Sequence, residues 1–426
     1  MTNENVFEMA SSAIRFGFGS TREVGAELAD QGKRNVMVLT DPNLRNLSPV
    51  VTVLESLEGQ GIGYSLFDRV RVEPSDESFL DAIRVAQAGN FDAFVAVGGG
   101  STIDTAKAAN LYSCYPADLL DYVNPPIGKG LPVPGPLKPL IAIPTTAGTG
   151  SETTGVAIFD FTKMHAKTGI ANRRLKPALG IIDPDNTRTL PPAVAASSGL
   201  DVLSHAVESY TAIPFEQRAR PERPMLRPAY QGSNPISDVW TLEALRLVAA
   251  YLRRAVADPS DDDARAAMLL AAAYAGMGFG NAGVHLPHGM SYAVSGLVKD
   301  YVPEGYPAAD HSLVPHGISV VLNAPAVFRY TAAVNPDRHL HAAGVLGANV
   351  SGAKPADAGK ILSDVILKFM YDLRLPNGLR EVGYTSGDIP ALVEGTLPQH
   401  RVTKLSPRPA GPDELARIFE DAIVAW

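Results

Sequence analysis

Short apolar runs and amphipathic stretches alternate along the first half of the chain, and each pattern selects its own element. NVMVLTD (35–41), FDAFVAVGGG (91–100), LKPLIAIPTT (137–146) and ALGIIDPD (178–185) are largely apolar and close in polar or glycine-containing turns. A strand with both faces apolar belongs in a sheet that is covered on both sides. SLFDRVRV (65–72) is a weaker, alternating run. Between the runs, TREVGAELADQG (21–32) and SFLDAIRVAQAG (78–89) carry helical patterns. Strands that alternate with helices predict an α/β domain on a parallel sheet over residues 1–188.

The pattern changes near Leu190-Pro191-Pro192. From Ala193 onward β-branched runs nearly vanish, and segments 241–256 and 263–280 have helical period and helix-forming composition. Pro191 and Pro192 suit the first positions of a helix. Residues 189–426 are therefore expected to form an all-helical domain, with the cleft between the two domains as the default ligand site.

Composition narrows the picture. A chain of 426 residues is long for one core, in keeping with two domains. Charged residues make up 19% and the net charge is −8, with both signs interspersed, which argues against a nucleic acid or an anionic membrane as partner. The single cysteine, Cys114, excludes a disulfide framework and a cysteine-built metal site. The N-terminal stretch MTNENVFEMASS has no basic start and no apolar core, and it lacks the Arg-rich amphipathic character of a transit peptide. A cytoplasmic location is expected on that basis.

Two glycine turns carry candidate chemistry. GGGSTIDTAKAA (98–109) reads as a strand end, a turn and a helix start, and PTTAGTGSE (144–152) follows the next strong strand. Missing side chains admit a pyrophosphate, and a helix N-terminus offers free N–H groups to its charge. The cofactor set expected from these turns is Gly98, Gly99, Gly100, Ser101, Thr145, Thr146 and Thr149, completed by Asp104 and Lys167. Asp41 ends the first strong strand, where a carboxylate either binds an adenosine ribose or closes the DPN turn. As a ribose acceptor it selects NAD over its 2′-phosphorylated form.

Asp201 and His205 stand four apart in GLDVLSHAVES, which puts them one turn apart on one helix face. His288 and His316 each precede a glycine, in HGM and PHG. One carboxylate and three imidazoles suit a divalent metal, Fe²⁺ or Zn²⁺. His165, His311, His339, His341 and His400 have no partner at ligand spacing and read as surface or satisfied core residues.

GGGSTIDTAK, PTTAGTGSE, DVLSHAVE, NPISD, HGM and PHG occur in the order seen in iron-containing, group III alcohol dehydrogenases, which the chain resembles over nearly its whole length. The stretches VRVEPSDESF, RPAYQGSNPISD, GFGNAGVHLPHGMSY and QHRVTKLSP resemble the hydroxyacid–oxoacid transhydrogenase branch. The resemblance implies a nucleotide-binding N-terminal domain and a helical metal-binding domain, an architecture shared with dehydroquinate synthase. It places the metal on Asp201, His205, His288 and His316. One departure stands out: the family pattern HGMxHxLG reads HGMSYAVSG here, so Tyr292 replaces a histidine near the substrate, while an extra histidine, His285, precedes the ligand. His285 and Tyr292 are the candidates for the proton route, and His285 is also an alternative ligand to His288.

Between Tyr210 and Asn234 lies a Pro/Arg-rich insertion with Arg218, Arg220, Arg223 and Arg227, flanked by Glu216 and Glu222. Arginine forks match carboxylates, so these four are the expected substrate-binding residues of an enzyme that acts on acids. The expected activity is hydride transfer through NAD between a hydroxy acid resembling 4-hydroxybutyrate and a 2-oxo acid resembling 2-oxoglutarate. The alternative is an NAD-dependent alcohol dehydrogenase of unknown substrate. A sugar-phosphate lyase and a non-enzymatic binding protein find less support, since no basic phosphate pocket is evident and a binding protein would not need four metal ligands. The partners expected are small molecules and a second copy of the chain in a homodimer.

Overall fold

The computed structural model describes residues 3–164, 166–306 and 311–426. The chain divides into two compact units, Ala10–Leu190 and Pro191–Trp426, and the N-terminal stretch ending at Met9 joins the second. Glu4 secures that stretch by pairing with Arg227 (Nε to Oε2, 2.9 Å). The ion pair spans more than two hundred residues, which no local pattern predicts.

The first unit holds a six-stranded sheet in the order β1-β8-β5-β4-β2-β3, every neighbouring pair parallel. The strands are β1 (Ala13–Phe16), β2 (Asn35–Leu39), β3 (Gly63–Phe67), β4 (Ala93–Gly98), β5 (Leu140–Pro144) and β8 (Leu179–Ile182). A separate antiparallel pair joins β6 (Val156–Phe161) to β7 (Ala166–Ala171). Alternate residues of each strand serve opposite faces. Val36, Val38, Val95, Val97, Ile141 and Ile143 meet α1 (Val24–Asp30) and α2 (Ser48–Gly59). Met37, Leu39, Phe94, Ala96 and Ala142 meet α3 (Asp76–Ala88) and α4 (Gly100–Cys114). The four largely apolar runs become β2, β4, β5 and β8, while the weaker run 65–72 overlaps β3 only at 65–67, since β3 begins at Gly63 and the run's last five residues lie outside it. The edge strand β1 escaped the sequence pattern because its four residues, AIRF, are only partly buried.

Strand order reverses between β2 and β4, since the chain leaves β2 for the β3 edge and returns on the other side. Ligands of open parallel sheets bind outside the carboxyl ends of strands at such a reversal. Asp41 and the Gly98–Gly100 turn follow the two strands that flank it.

After a short α5 (Leu119–Tyr122), the second unit opens with α6 (Pro192–Thr211), whose first residue is the proline expected there. It continues through α7 (Pro235–Ala257), α8 (Asp262–Ala282), α9 (Leu286–Gly296) and α10 (His316–Val321). The remaining helices are α11 (Ala324–Thr331), α12 (Pro336–Val345), α13 (Ala358–Asp372), α14 (Ile389–Thr396), α15 (His400–Thr403) and α16 (Pro412–Ala422). The expected helices 241–256 and 263–280 fall inside α7 and α8.

Candidate metal centre and nucleotide turns

Helix α6 carries Asp201 and His205 one turn apart, α9 brings His288, and His316 is the first residue of α10. The four ligand atoms lie within 4.8 Å of one another, and His316 is the member that is not buried. From Asp201 Oδ1 the distances are 3.7 Å to His205 Nδ1, 3.5 Å to His288 Nε2 and 3.8 Å to His316 Nε2. These spacings are too long for good hydrogen bonds. They suit ligands that share one ion, for which tetrahedral bonds of about 2.1 Å put neighbouring donors about 3.4 Å apart.

The polar atoms themselves test whether a metal fits. Among the described residues, Asp201 Oδ1, His205 Nδ1 and His288 Nε2 are buried without a hydrogen-bond partner. Buried polar atoms are almost always satisfied, so three orphans converging on one point fit a cation.

Packing holds each imidazole. The His205 ring stacks on Phe279 at 3.9 Å and 6°, and its other neighbour is the His288 ring at 4.5 Å. Glu208, fully buried on α6, holds His288 by both carboxylate oxygens. Its Oε2 meets His288 Nδ1 at 2.5 Å, while Oε1 accepts from the backbone N–H of His285 (2.9 Å) and of His288 (3.2 Å). A carboxylate can only accept, so Nδ1 carries a proton, and Nε2 faces the centre, where it offers a lone pair once its own proton gives way to a cation.

Electrostatics follow the same geometry. Burial pushes His205 down to about 3. Burial opposes ionisation of Asp201, but His205, His316 and His288 outweigh it and hold the carboxyl below its usual range. Burial likewise lowers His288, yet Glu208 and Asp201 outweigh it and push it up to about 10. A site that grips a proton between two carboxylates favours a divalent cation in its place.

The glycines after His288 and His316 explain how these helices close in. A Cβ on Gly317 would lie 2.0 Å from Ser197 O on α6. One on Gly289 would lie 2.5 Å from Thr403 Cγ2 on α15.

The other candidates separate. His285 is buried beside Thr211, with Nε2 3.0 Å from Oγ1, and lies outside the four-ligand group; burial pushes it down to about 4. Tyr292, one turn beyond His288 on α9, accepts from Arg401 Nη2 at 2.9 Å. Of the insertion arginines, Arg227 is committed to Glu4, Arg220 and Arg223 are exposed, and Arg218 is half-buried. His339 bonds Thr331 and Asn335, and His341 bonds Tyr210, in line with structural roles. His165 lies outside the described residues.

In the first unit, the two glycine turns lie against each other, and a Cβ on Gly100 would meet Thr149 Cγ2 at 2.6 Å. No side chain caps α4, whose N-cap is Gly99. Asp41 Oδ1 accepts from the backbone of Asn43 at 2.9 Å, so its turn role is real, and burial raises its pKa. Ser101 Oγ accepts from Glu73 N at 3.2 Å. Asp104 accepts from Ser151 Oγ (2.5 Å) and Ile158 N (2.9 Å), and Lys167 pairs with Glu73 (2.6 Å) and Asp160 (2.9 Å). Both are thus committed within the unit. Sequence reasoning missed Glu208, the buried Lys107 that donates to Ser151 and to the Val156 carbonyl, and Arg401. For Glu208 a signal existed, since it stands three residues after His205 on the same helix face.

Comparison with known proteins matches residues 11–184 to the family described as iron-containing alcohol dehydrogenase. Residues 229–423 match the C-terminal domain of the Fe-containing alcohol dehydrogenase family. A Xenopus laevis protein named hydroxyacid-oxoacid transhydrogenase, mitochondrial, is 61% identical over 98% of this chain and 91% of its own length. The Homo sapiens protein of that name is 58% identical over 98% and 90%. Among solved structures, a 1,3-propanediol oxidoreductase superposes with a TM-score of 0.85 at 30% identity, covering 98% of this chain and all of its own. A sulfoacetaldehyde reductase from Bifidobacterium kashiwanohense in complex with NAD⁺ superposes at 0.79 with 25% identity, covering 99% of both. The expectation of a cytoplasmic location is overturned, because these relatives are named mitochondrial. Composition and burial are alike in either compartment, so they carry no address.

Proposed function

Since this chain belongs to the iron-containing alcohol dehydrogenase family, we propose that it is a metal-dependent hydroxyacid–oxoacid transhydrogenase that works through NAD. It is an oxidoreductase acting on CH–OH groups. The observation that carries the metal-dependent part is the convergence of three orphaned buried ligand atoms, with His316 beside them, on one point. The hydroxy-acid part is supported by the relatives' names at 58–61% identity over nearly the whole chain.

When bound, a divalent metal supplies Lewis-acid polarisation of the substrate oxygen, and NAD supplies the hydride acceptor and donor. Asp201, His205, His288 and His316 would hold the metal, and Fe²⁺ and Zn²⁺ both suit this donor set. Glu208 fixes the His288 tautomer. The uncapped start of α4, with Gly98, Gly99, Gly100 and Ser101, would receive the pyrophosphate, and Thr145, Thr146 and Thr149 border it. Asp41 would bind the adenosine ribose and reject a 2′-phosphate. Asp104, Lys107 and Lys167 keep the second glycine turn and the β6–β7 pair in place. Tyr292 and His285 remain the proton-route candidates, and Tyr292 stands one turn from His288 along α9.

The test is turnover with 4-hydroxybutyrate, with and without 2-oxoglutarate, and no added NAD. Sustained turnover only when both acids are present supports a transhydrogenase that retains its cofactor. Turnover that needs added NAD and ignores the oxo acid replaces this reading with an NAD-dependent alcohol dehydrogenase. The ligand assignment is tested apart: His288→Ala should lose metal, measured by elemental analysis, together with activity. Full occupancy in that variant would transfer the position to His285.

A further inference from the structure

Arg401 is the feature that the metal and nucleotide sites leave unused. It lies on α15, and Gly289 lets that helix approach α9 right beside His288. Its Nη2 donates to Tyr292 Oη at 2.9 Å. Its guanidinium lies over the Tyr230 ring, 5.2 Å from the centroid. Its Nη1 is buried and has no hydrogen-bond partner among the described residues. A buried guanidinium normally faces a carboxylate. Among the described residues, the groups that act on Arg401 are two tyrosines and no acid.

The neighbours deepen the imbalance. Lys404 is exposed at the surface, yet desolvation of its ammonium and the charges of Arg218 and Arg401 hold it below its ordinary value, and among the described residues no carboxylate acts on it. The acid that acts on Arg218 is Glu4, which is paired with Arg227. Arg218 and Arg401 thus both act on Lys404 in a chain whose net charge is −8, and Arg401 keeps an unfilled donor among the described residues. Tyr292 is four residues beyond His288, a step of about 6 Å along a helix. That span matches the distance between the reacting carbon and the terminal carboxylate of a short hydroxy or oxo acid.

We propose that Arg401, assisted by Lys404, binds the carboxylate at the end of the substrate away from the reacting carbon. The inference rests on the acid-substrate reading above and names the group that would enforce it. Tyr292 then has a positioning role: its hydroxyl accepts from Nη2 and leaves Nη1 for the ligand. The departure from the family's second histidine acquires a reason, because an imidazole at position 292 would not reach as far toward Arg401 as a phenol does. The insertion arginines are relegated to at most a flanking contribution from Arg218.

The experiment uses the metal-loaded enzyme charged with NADH. Oxidation of the bound cofactor is followed after mixing with 2-oxoglutarate or with butanal, and binding of glutarate is measured by calorimetry. Arg401→Ala should lower the ratio of the two rates, acid over neutral aldehyde, by about tenfold or more, and weaken glutarate by a similar factor. Arg401→Lys should recover part of both, since it keeps the charge and loses the fork. An unchanged ratio, or an equal fall with both acceptors, would overturn the proposal and leave Arg401 as a support for α9. If Arg401→Ala does not fold, Lys404→Ala is read in the same way, and a ratio within twofold of the parent would count against the cluster. A parent enzyme that reduces butanal but neither binds glutarate nor reduces 2-oxoglutarate overturns the acid-substrate reading itself. A parent that reduces 2-oxoglutarate with Arg401 variants of equal selectivity overturns only this inference.

Discussion

Glu208 shows how much of a candidate metal site depends on a residue outside its four ligand positions. Its Oε2 sets the His288 tautomer and its Oε1 holds the first turn of α9. Glu208→Gln keeps the shape but presents an amide that cannot serve all three donors. Metal affinity, measured by chelator competition, should fall about 10–100-fold. Asp41 acts at the same scale in the other unit. Like charges a few Å apart in a partly desolvated site cost about 1–3 kcal/mol, or roughly tenfold to a hundredfold in affinity. Asp41→Ser keeps an acceptor for the turn and removes the charge, so discrimination against NADP should relax by about that factor in fluorescence titrations. Unchanged discrimination would reduce Asp41 to its bond with Asn43. Asp201 and His205 were legible because a spacing of four is itself a geometric statement on a helix. Glu208 was not assigned, since a carboxylate on a helix face reads as solvated until burial is seen.

At the scale of elements, the His-Gly steps are the joints of the site. Gly317 lets α10 rest on the backbone of α6 at Ser197, the turn before Asp201. Gly317→Ala should therefore displace His316, lower the melting temperature, and reduce metal content, with an overpacking cost of about 1–3 kcal/mol. Gly59→Ala, at a helix end where a Cβ meets nothing within 4 Å, is the control and should melt no lower than the parent. The buried strands were readable because apolar runs of that length have few other uses. The β6–β7 pair was not, because polar residues interrupt its strands and it is anchored by bonds to distant residues, such as Lys107 to the Val156 carbonyl and Lys167 to Glu73.

For the whole molecule, metal binding and stability are linked. Native ligand atoms that are buried without partners cost stability until a cation engages them. Exhaustive chelation should lower the melting temperature, and restoring Fe²⁺ or Zn²⁺ should raise it again. A free concentration a hundredfold above Kd corresponds to about 2.7 kcal/mol. A melting temperature indifferent to chelator would mean that these four side chains do not hold a metal in the folded protein. The overall charge hides local order: a chain at −8 still gathers Arg218, Arg401 and Lys404 into one cationic cluster.

The sequence by itself determined the elements whose cause is local. These are the four largely apolar runs, the proline-initiated α6, the helical spacing of Asp201 and His205, and the glycine turns that close β4 and β5. Periodicity, capping and backbone freedom act within a few residues, so they can be read in order along the chain. Only the tertiary structure decided which distant residues meet. His316 comes within 3.8 Å of Asp201 across 115 residues, Arg401 reaches Tyr292 across 109, and Glu4 claims Arg227 from the insertion. Such pairings depend on how helices stack and on which charges remain once others are satisfied, and neither quantity exists until the chain has folded.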